Sequence, residues 1–351
     1  MSPRRRALLV LPLVAVLALA ACAPERNAEG SSQPGSSEPL VVADHLDVPW
    51  SIAFHGDTAL ISERDSARIL ELTADGTREV GVIEGVSAAG ESGLLGLAIQ
   101  GDDLYVYSTG EGENRIQRYP LTGEPGTLGL GDPETVLAGL PHANWHSGGR
   151  IAFGPDGMLY ATVGDVHERG SAQDLDRLSG KILRMTPEGE VPDDNPFDGS
   201  YVYSYGHRNP QGIAWDDEGT MYSAEFGEDT WDELNVIEPG GNYGWPEVEG
   251  AAGDHRFIDP VQQWAPADAS PSGIAVADGS IWIANLRGER LREVPLDDLT
   301  ASTEHLVREY GRLRLVVPAP DGSLWLLTNN TDGRGDPAPD DDRILRFEPT
   351  G

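Results

Sequence analysis

The sequence predicts an all-β fold, a six-bladed β-propeller, on three observations. A short apolar pattern returns six times, as Ser51-Ile52-Ala53-Phe54, Leu95-Gly96-Leu97-Ala98, Arg150-Ile151-Ala152-Phe153, Gly212-Ile213-Ala214-Trp215, Gly273-Ile274-Ala275-Val276 and Arg314-Leu315-Val316-Val317. Successive copies are roughly 40 to 60 residues apart, the length of one propeller blade of about four strands. The 43 glycines and 26 prolines cut the chain into short segments, and no long amphipathic helix pattern lies between them, as a doubly wound α/β fold would require.

The chain begins with a different kind of segment. Arg4, Arg5 and Arg6 precede an apolar run from Ala7 to Ala21 that is short for a membrane span. The run ends Leu19-Ala20-Ala21-Cys22, which resembles a bacterial lipobox, and Cys22 is the sole cysteine of the chain. Residues 1–22 are therefore expected to be a lipoprotein signal peptide. Lipidation at Cys22 would hold the protein to the cell membrane from outside the cytoplasm. Residues 23–39, rich in Ser, Pro, Gly and Glu without apolar periodicity, read as a flexible tether. The propeller is expected over residues 40–351.

Within that domain each apolar copy is the first strand of a blade, and a second strand follows: Thr58 to Ser62, Asp103 to Ser108, Met158 to Val163, Thr220 to Ala224, Ser280 to Ala284 and Ser323 to Leu327. Turns such as Pro155-Asp156-Gly157, Asp217-Glu218-Gly219 and Pro320-Asp321-Gly322 join several of these pairs. Third strands read as Arg68 to Leu72, Arg115 to Tyr119, Lys181 to Met185, Leu291 to Val294 and Arg343 to Phe347. Helical stretches such as Ala172 to Leu178 are short. The first strands should line the central channel, with functional groups in the loops that enter and leave them on one face.

The charge narrows the function. Fifty-eight acidic against 25 basic residues give −33, and such a chain repels a phosphate backbone, so nucleic acid is excluded as a partner. Four segments break the blade pattern. His146, just before a first strand and beside Gly148 and Gly149, is a candidate general base or an ordinary loop histidine. Arg208 and Asn209 combine a donor fork and an amide, suited to ligand carboxylates or carbonyls, or else to a blade-to-blade ion pair. The stretch from Glu225 to Trp245, with its acidic groups and tight turns, offers hard oxygens for calcium, or is a turn-rich surface loop. Arg287, Arg312 and Arg314 form a cationic group, and strand alternation puts the last two on one side. Three arginines aimed at one channel of so acidic a protein point to a polyanionic ligand.

Taken together, the motifs Gly93-Leu94-Leu95-Gly96, His146-Ser147-Gly148-Gly149-Arg150, Gly206-His207-Arg208-Asn209-Pro210-Gln211-Gly212, Asp232-Glu233-Leu234-Asn235, Gly240-Gly241-Asn242-Tyr243-Gly244-Trp245-Pro246 and Arg312-Leu313-Arg314 resemble the soluble quinoprotein glucose/aldose sugar dehydrogenases. The resemblance runs from about Val48 to Phe347. It implies six blades, one pyrroloquinoline quinone (PQQ) and calcium on one face. It implies His146 as the base that takes the proton of the anomeric hydroxyl while hydride passes to the quinone and a lactone forms. By the same resemblance Arg208 neutralises the developing oxyanion, Asn209 holds the cofactor, and Arg312 and Arg314 bind its carboxylates. Arg287 stands where the family usually has a Lys, Glu91 where it often has a cofactor-binding Gln, and Trp145 where glucose-oxidising members have an Asp. Calcium is implied at the carbonyls of Gly227 and Glu228 and, as a structural ion, at Glu233 and Tyr243. An aldose or oligosaccharide is the implied substrate, with an external electron acceptor. Two other readings stand beside it. A calcium-dependent lactonase-type hydrolase would need a central carboxylate and Asn cluster that the sequence does not assemble. A cofactor-free binding propeller is favoured by Glu91 and opposed by the cationic cluster around His146.

Overall fold

The structure is a computed structural model that describes residues 38–349. The expected signal peptide, Cys22 and all but the end of the tether lie outside the described residues. Among those residues no helix is long and apolar enough to cross a membrane.

Six antiparallel sheets are built one after another along the chain. Their innermost strands are Pro49–His55, Leu94–Gln100, Ile151–Phe153, Asn209–Trp215, Pro271–Ala277 and Leu313–Pro318, the six apolar copies. Each runs outward through three further strands, and blade two carries a small extra pairing at Gly129–Leu130. The last blade is completed from the other end of the chain: Leu40–Ala43 pairs antiparallel with Ile344–Phe347, with Leu40 opposite Arg346. The ring is thus closed by hydrogen bonds between the two ends of the domain.

Neighbouring blades pack face to face, which is why both faces of the inner strands are apolar. Tyr105, Tyr107 and Ile116 of blade two share one buried cluster with Leu159, Leu183 and Val202 of blade three. Each such fully buried side chain contributes about 2 kcal/mol. Inner strands also touch through backbone, as where Gly96 N donates to Gly149 O at 3.0 Å.

The structure departs from the expected pattern in three places. Blade four does have a third strand, Asp232–Ile237, inside the stretch read as a turn-rich loop. Its Asp, Glu and Asn are buried and hydrogen-bonded rather than solvated, so its polar residues hid a strand. The helical element is a single 3-10 turn at Arg169–Gln173, earlier than Ala172 to Leu178, because Ser171 folds back on the Glu168 carbonyl through both its backbone N and its hydroxyl. Finally, the loops leaving the inner strands lie on the opposite face from those entering them, as antiparallel hairpins demand. The entering links share their face with the loops between second and third strands.

Candidate functional site

That geometry decides which residues meet. Links entering the inner strands carry Glu91, His146, Arg208 and Arg312. Loops after the second strands carry Asp165, Gly227 with Glu228, Arg287 and Arg334. A cavity of about 390 Å³ opens where they converge, lined by Glu91, His146, Arg208, Gly227, Glu228, Asp232, Arg287, Arg312 and Arg334 among others.

His146 sits in the left-handed region at φ 57°, and His167, stacked on its ring at 4.1 Å, has φ 64°. Non-glycine residues held there cost about 1–3 kcal/mol each. The surroundings enforce it: Glu91 Oε2 accepts from His146 N at 2.9 Å. Gly164 permits the close approach, since any side chain there would collide with the His146 carbonyl. The imidazole Nδ1 donates to Asp165 Oδ1 at 2.6 Å, which leaves Nε2 with its lone pair to accept a proton.

Asp165 is fully buried. Burial pushes its carboxyl up, but hydrogen bonds from His146, from His167 N and from the Trp245 indole outweigh that and hold it below its ordinary value. Trp245 Nε1 donates to Asp165 Oδ2 at 2.8 Å, and the Arg169 guanidinium lies 4.5 Å over its ring. Sequence reasoning missed Asp165. Its only mark is an Asp two residues past the strand Leu159–Val163, which resembles any turn. Trp245 stands in the sequence only as part of the Gly240–Pro246 motif. Replacing Trp245 by Phe removes a donor to a carboxylate and should lower kcat about ten-fold, the equivalent of ~1.4 kcal/mol, with KM within about two-fold. Steady-state kinetics on Trp245→Phe check it.

The expected cations divide into two levels. Arg208 is half-buried on the cavity wall; its Nη1 donates to Phe226 O, and its Nε is buried with no partner. Arg287 is exposed on the rim. Arg312 reaches the cavity, but its Nη2 donates to Asp332 Oδ2 at 3.0 Å. Arg314 is 4% exposed and does not line the cavity. A break in register between Leu313 and Leu315 accompanies the change of level. Arg314 donates to Asn329, Gln211 and Ser272, and burial pulls it down to about 9, which still leaves it charged at neutral pH. Asn209 is also fully buried beneath the cavity, donating to Glu91 Oε2 at 3.2 Å and accepting from Gly148 N. Sequence reasoning missed Arg334, on the loop after Leu324–Thr328, whose Nη1 lies 3.6 Å from Glu91 Oε1.

Of the expected calcium residues, Gly227 and Glu228 line the cavity, and Glu233 and Tyr243 fall beside it. Glu249 Oε1 accepts from the backbone N of Glu228, Asp229, Thr230 and Trp231, fixing the turn after Gly227. The Glu228 side chain instead pairs with Arg169 at 2.9 Å. Glu233 and Tyr243 border one small pocket with Glu225 and Glu249. Burial first, and the charge of Glu225 second, push the Glu233 carboxyl well up. Asn235 Nδ2 bridges the two carboxylates. Among the described residues no group of three or more Asp, Glu, His or Cys side chains is placed to hold a metal ion.

Known proteins resemble this chain in sequence and in fold. The family model for Glucose / Sorbosone dehydrogenase matches residues 46–345. An aldose sugar dehydrogenase from Escherichia coli is 30% identical over 345 residues, covering 84% of this chain and 90% of that protein. Quinoprotein glucose dehydrogenase B from Acinetobacter calcoaceticus is 30% identical over 289 residues, which is 68% of this chain but only 59% of that protein's length. Among solved structures, the PQQ-bound form of an aldose sugar dehydrogenase from Streptomyces coelicolor is similar with a TM-score of 0.85 and 51% identity, over 88% of this chain and 96% of that one.

Proposed function

The chain belongs to the Glucose / Sorbosone dehydrogenase family, and from that premise we propose that it is a PQQ- and calcium-dependent oxidoreductase that converts an aldose to a lactone at the anomeric carbon. The observation that carries this reading is the His146–Asp165 pair at the wall of a cavity ringed by four arginines.

The residues present fit the cofactor. Arg208, Arg287 and Arg312 face a space suited to a flat tricarboxylate, and the partnerless Arg208 Nε is a donor awaiting an acceptor. Arg208 and Arg312 would hold PQQ from the wall, with Asn209 and Arg314 bracing the floor below. When bound, PQQ supplies the hydride acceptor and calcium a positive charge beside it. His146 Nε2 takes the proton of the anomeric hydroxyl. Asp165 fixes the ring and stabilises the imidazolium that results, an arrangement that needs no movement during the step. Arg208 would hold its guanidinium charge on the cavity wall, where it can stabilise negative charge on the bound group. Gly227 and Glu228 would offer carbonyls to one calcium, and Glu233 with Tyr243 would hold a structural one.

The test is a titration of purified apoprotein with PQQ, with and without calcium, followed by calorimetry, then dye reduction over a panel of aldoses. Calcium-dependent binding with turnover on aldoses is the expected result. Binding of PQQ with no turnover on any aldose would reject the substrate class. Calcium alone, at about 100 times its Kd, should add roughly 2.7 kcal/mol to stability, and chelation should lower Tm accordingly. A melting curve that chelator does not move would remove the structural calcium.

Export and acylation at Cys22, ahead of a tether over 23–39 and a catalytic domain over 40–351, complete the proposal on the sequence signal alone. Metabolic labelling with a fatty-acid analogue that is lost in Cys22→Ser would support it, and labelling that persists would not. The electron acceptor then lies at or near that membrane.

A further inference from the structure

Glu91 stands in the wall of a cavity that must receive three carboxylates. It is not free to leave: its Oε2 accepts from His146 N at 2.9 Å and from Asn209 Nδ2 at 3.2 Å. Turning the carboxylate away would release the strained backbone of the base. A fixed negative charge is therefore built in, and its side chain is only 15% exposed, where solvent screens it poorly. Among the described residues a single cation lies within ion-pair distance of it, Arg334. The Arg334 guanidinium sits 4.8 Å over the ring of Trp145, the residue before His146. Trp145 is among the exposed large apolar side chains, at 43%, and this shelf gives its indole a use. Two departures from the family pattern, Glu91 and Trp145, are thus joined by one arginine that no motif contained.

We infer that Arg334 is the counter-ion that makes Glu91 compatible with an anionic ligand, acting on ligand affinity through Glu91 and not by a contact of its own. It is a positioning residue in charge rather than in shape, and the inference rests on the reading of the cavity as the PQQ site. An ion pair at a rim is often worth little in water. Here its value appears when a polyanion arrives, because an uncompensated carboxylate would then face the ligand directly.

The experiment is a double-mutant cycle on ligand affinity, measured by calorimetry on the purified protein with calcium, using PQQ and, separately, citrate as a simple tricarboxylate probe. Glu91→Gln keeps an acceptor for His146 N, so the fold of the loop is preserved. Arg334→Gln should weaken binding about ten-fold, Glu91→Gln should bind as tightly as wild type or more tightly, and the double variant should return to within about two-fold of Glu91→Gln. Arg334→Lys, which restores the charge, should recover most of the loss. Losses that simply add in the double variant mean that Arg334 touches the ligand itself, and overturn the inference, as does an Arg334→Gln protein of unchanged affinity. Citrate following the pattern while PQQ fails to bind wild type would sink the PQQ reading and keep the role of Arg334. Binding of neither would end both.

Discussion

Substituting His146 by Gln should reduce turnover by about a thousand-fold while leaving PQQ affinity within a few-fold, because a general base is worth on the order of 10²–10⁴ in rate. The amide keeps much of the ring's volume and can still meet Asp165, so the stacked His167 and the fixed loop stay in place. What is lost is the lone pair to which the proposed mechanism assigns the anomeric proton. Affinity and rate therefore separate in this variant, and single-turnover kinetics after loading with cofactor would read both. Equal loss in both would mean that His146 shapes the cavity instead of acting as the base.

Arg208→Met should behave differently. Arg208 borders the cavity with a buried, partnerless Nε, and its guanidinium lies 5.5 Å over the Trp245 ring. Met keeps the packing against that ring and removes only the charge and the donors. A charge-assisted pair is worth about 1.5–3 kcal/mol, so PQQ affinity should fall roughly 10- to 100-fold. The rate on loaded enzyme should fall a further 10²-fold or so, since in the proposed mechanism the same group stabilises the developing oxyanion. Arg208→Lys should recover part of the affinity and less of the rate, because a point charge does not reproduce the fork. A variant that binds PQQ normally and turns over slowly would move Arg208 from cofactor binding to the transition state alone.

Much of this molecule was legible because a propeller repeats its physics. The inner strands must be apolar on both faces, so Leu95-Gly96-Leu97-Ala98 and its five relatives stand out in any reading. The links entering those strands sit at fixed positions in the repeat, which exposed His146, Arg208 and Arg312. Asp232–Ile237 was lost because its inward partners are Asn235 and Glu233, polar groups satisfied by one another rather than by water. Asp165 and Arg334 were lost for a topological reason. They come from loops between second and third strands, whose lengths vary and whose ends carry no apolar signature. Only the antiparallel return of the chain brings those loops back to the face where the entering links begin. The paired condition of Glu91 followed the same rule, since its partner lies more than two hundred residues away on such a loop.

The strand Leu40–Ala43 has a consequence in time. It joins the last blade from the far end of the domain, so the pairing of Leu40 with Arg346 spans nearly all of it. Closing so long a loop costs roughly 5 kcal/mol by the logarithmic law, before any contact repays it. Contacts of that range form slowly and last. A chain delivered to its compartment amino end first would hold this strand ready while five blades assemble, waiting for Ile344–Phe347 to arrive. During that delay both are bare edges, able to pair with a neighbour's. The interval between delivery of the first strand and the last is therefore the window in which this protein is most exposed to misassembly. Under the export proposed above, crowding of several chains at one site would lengthen the odds against each.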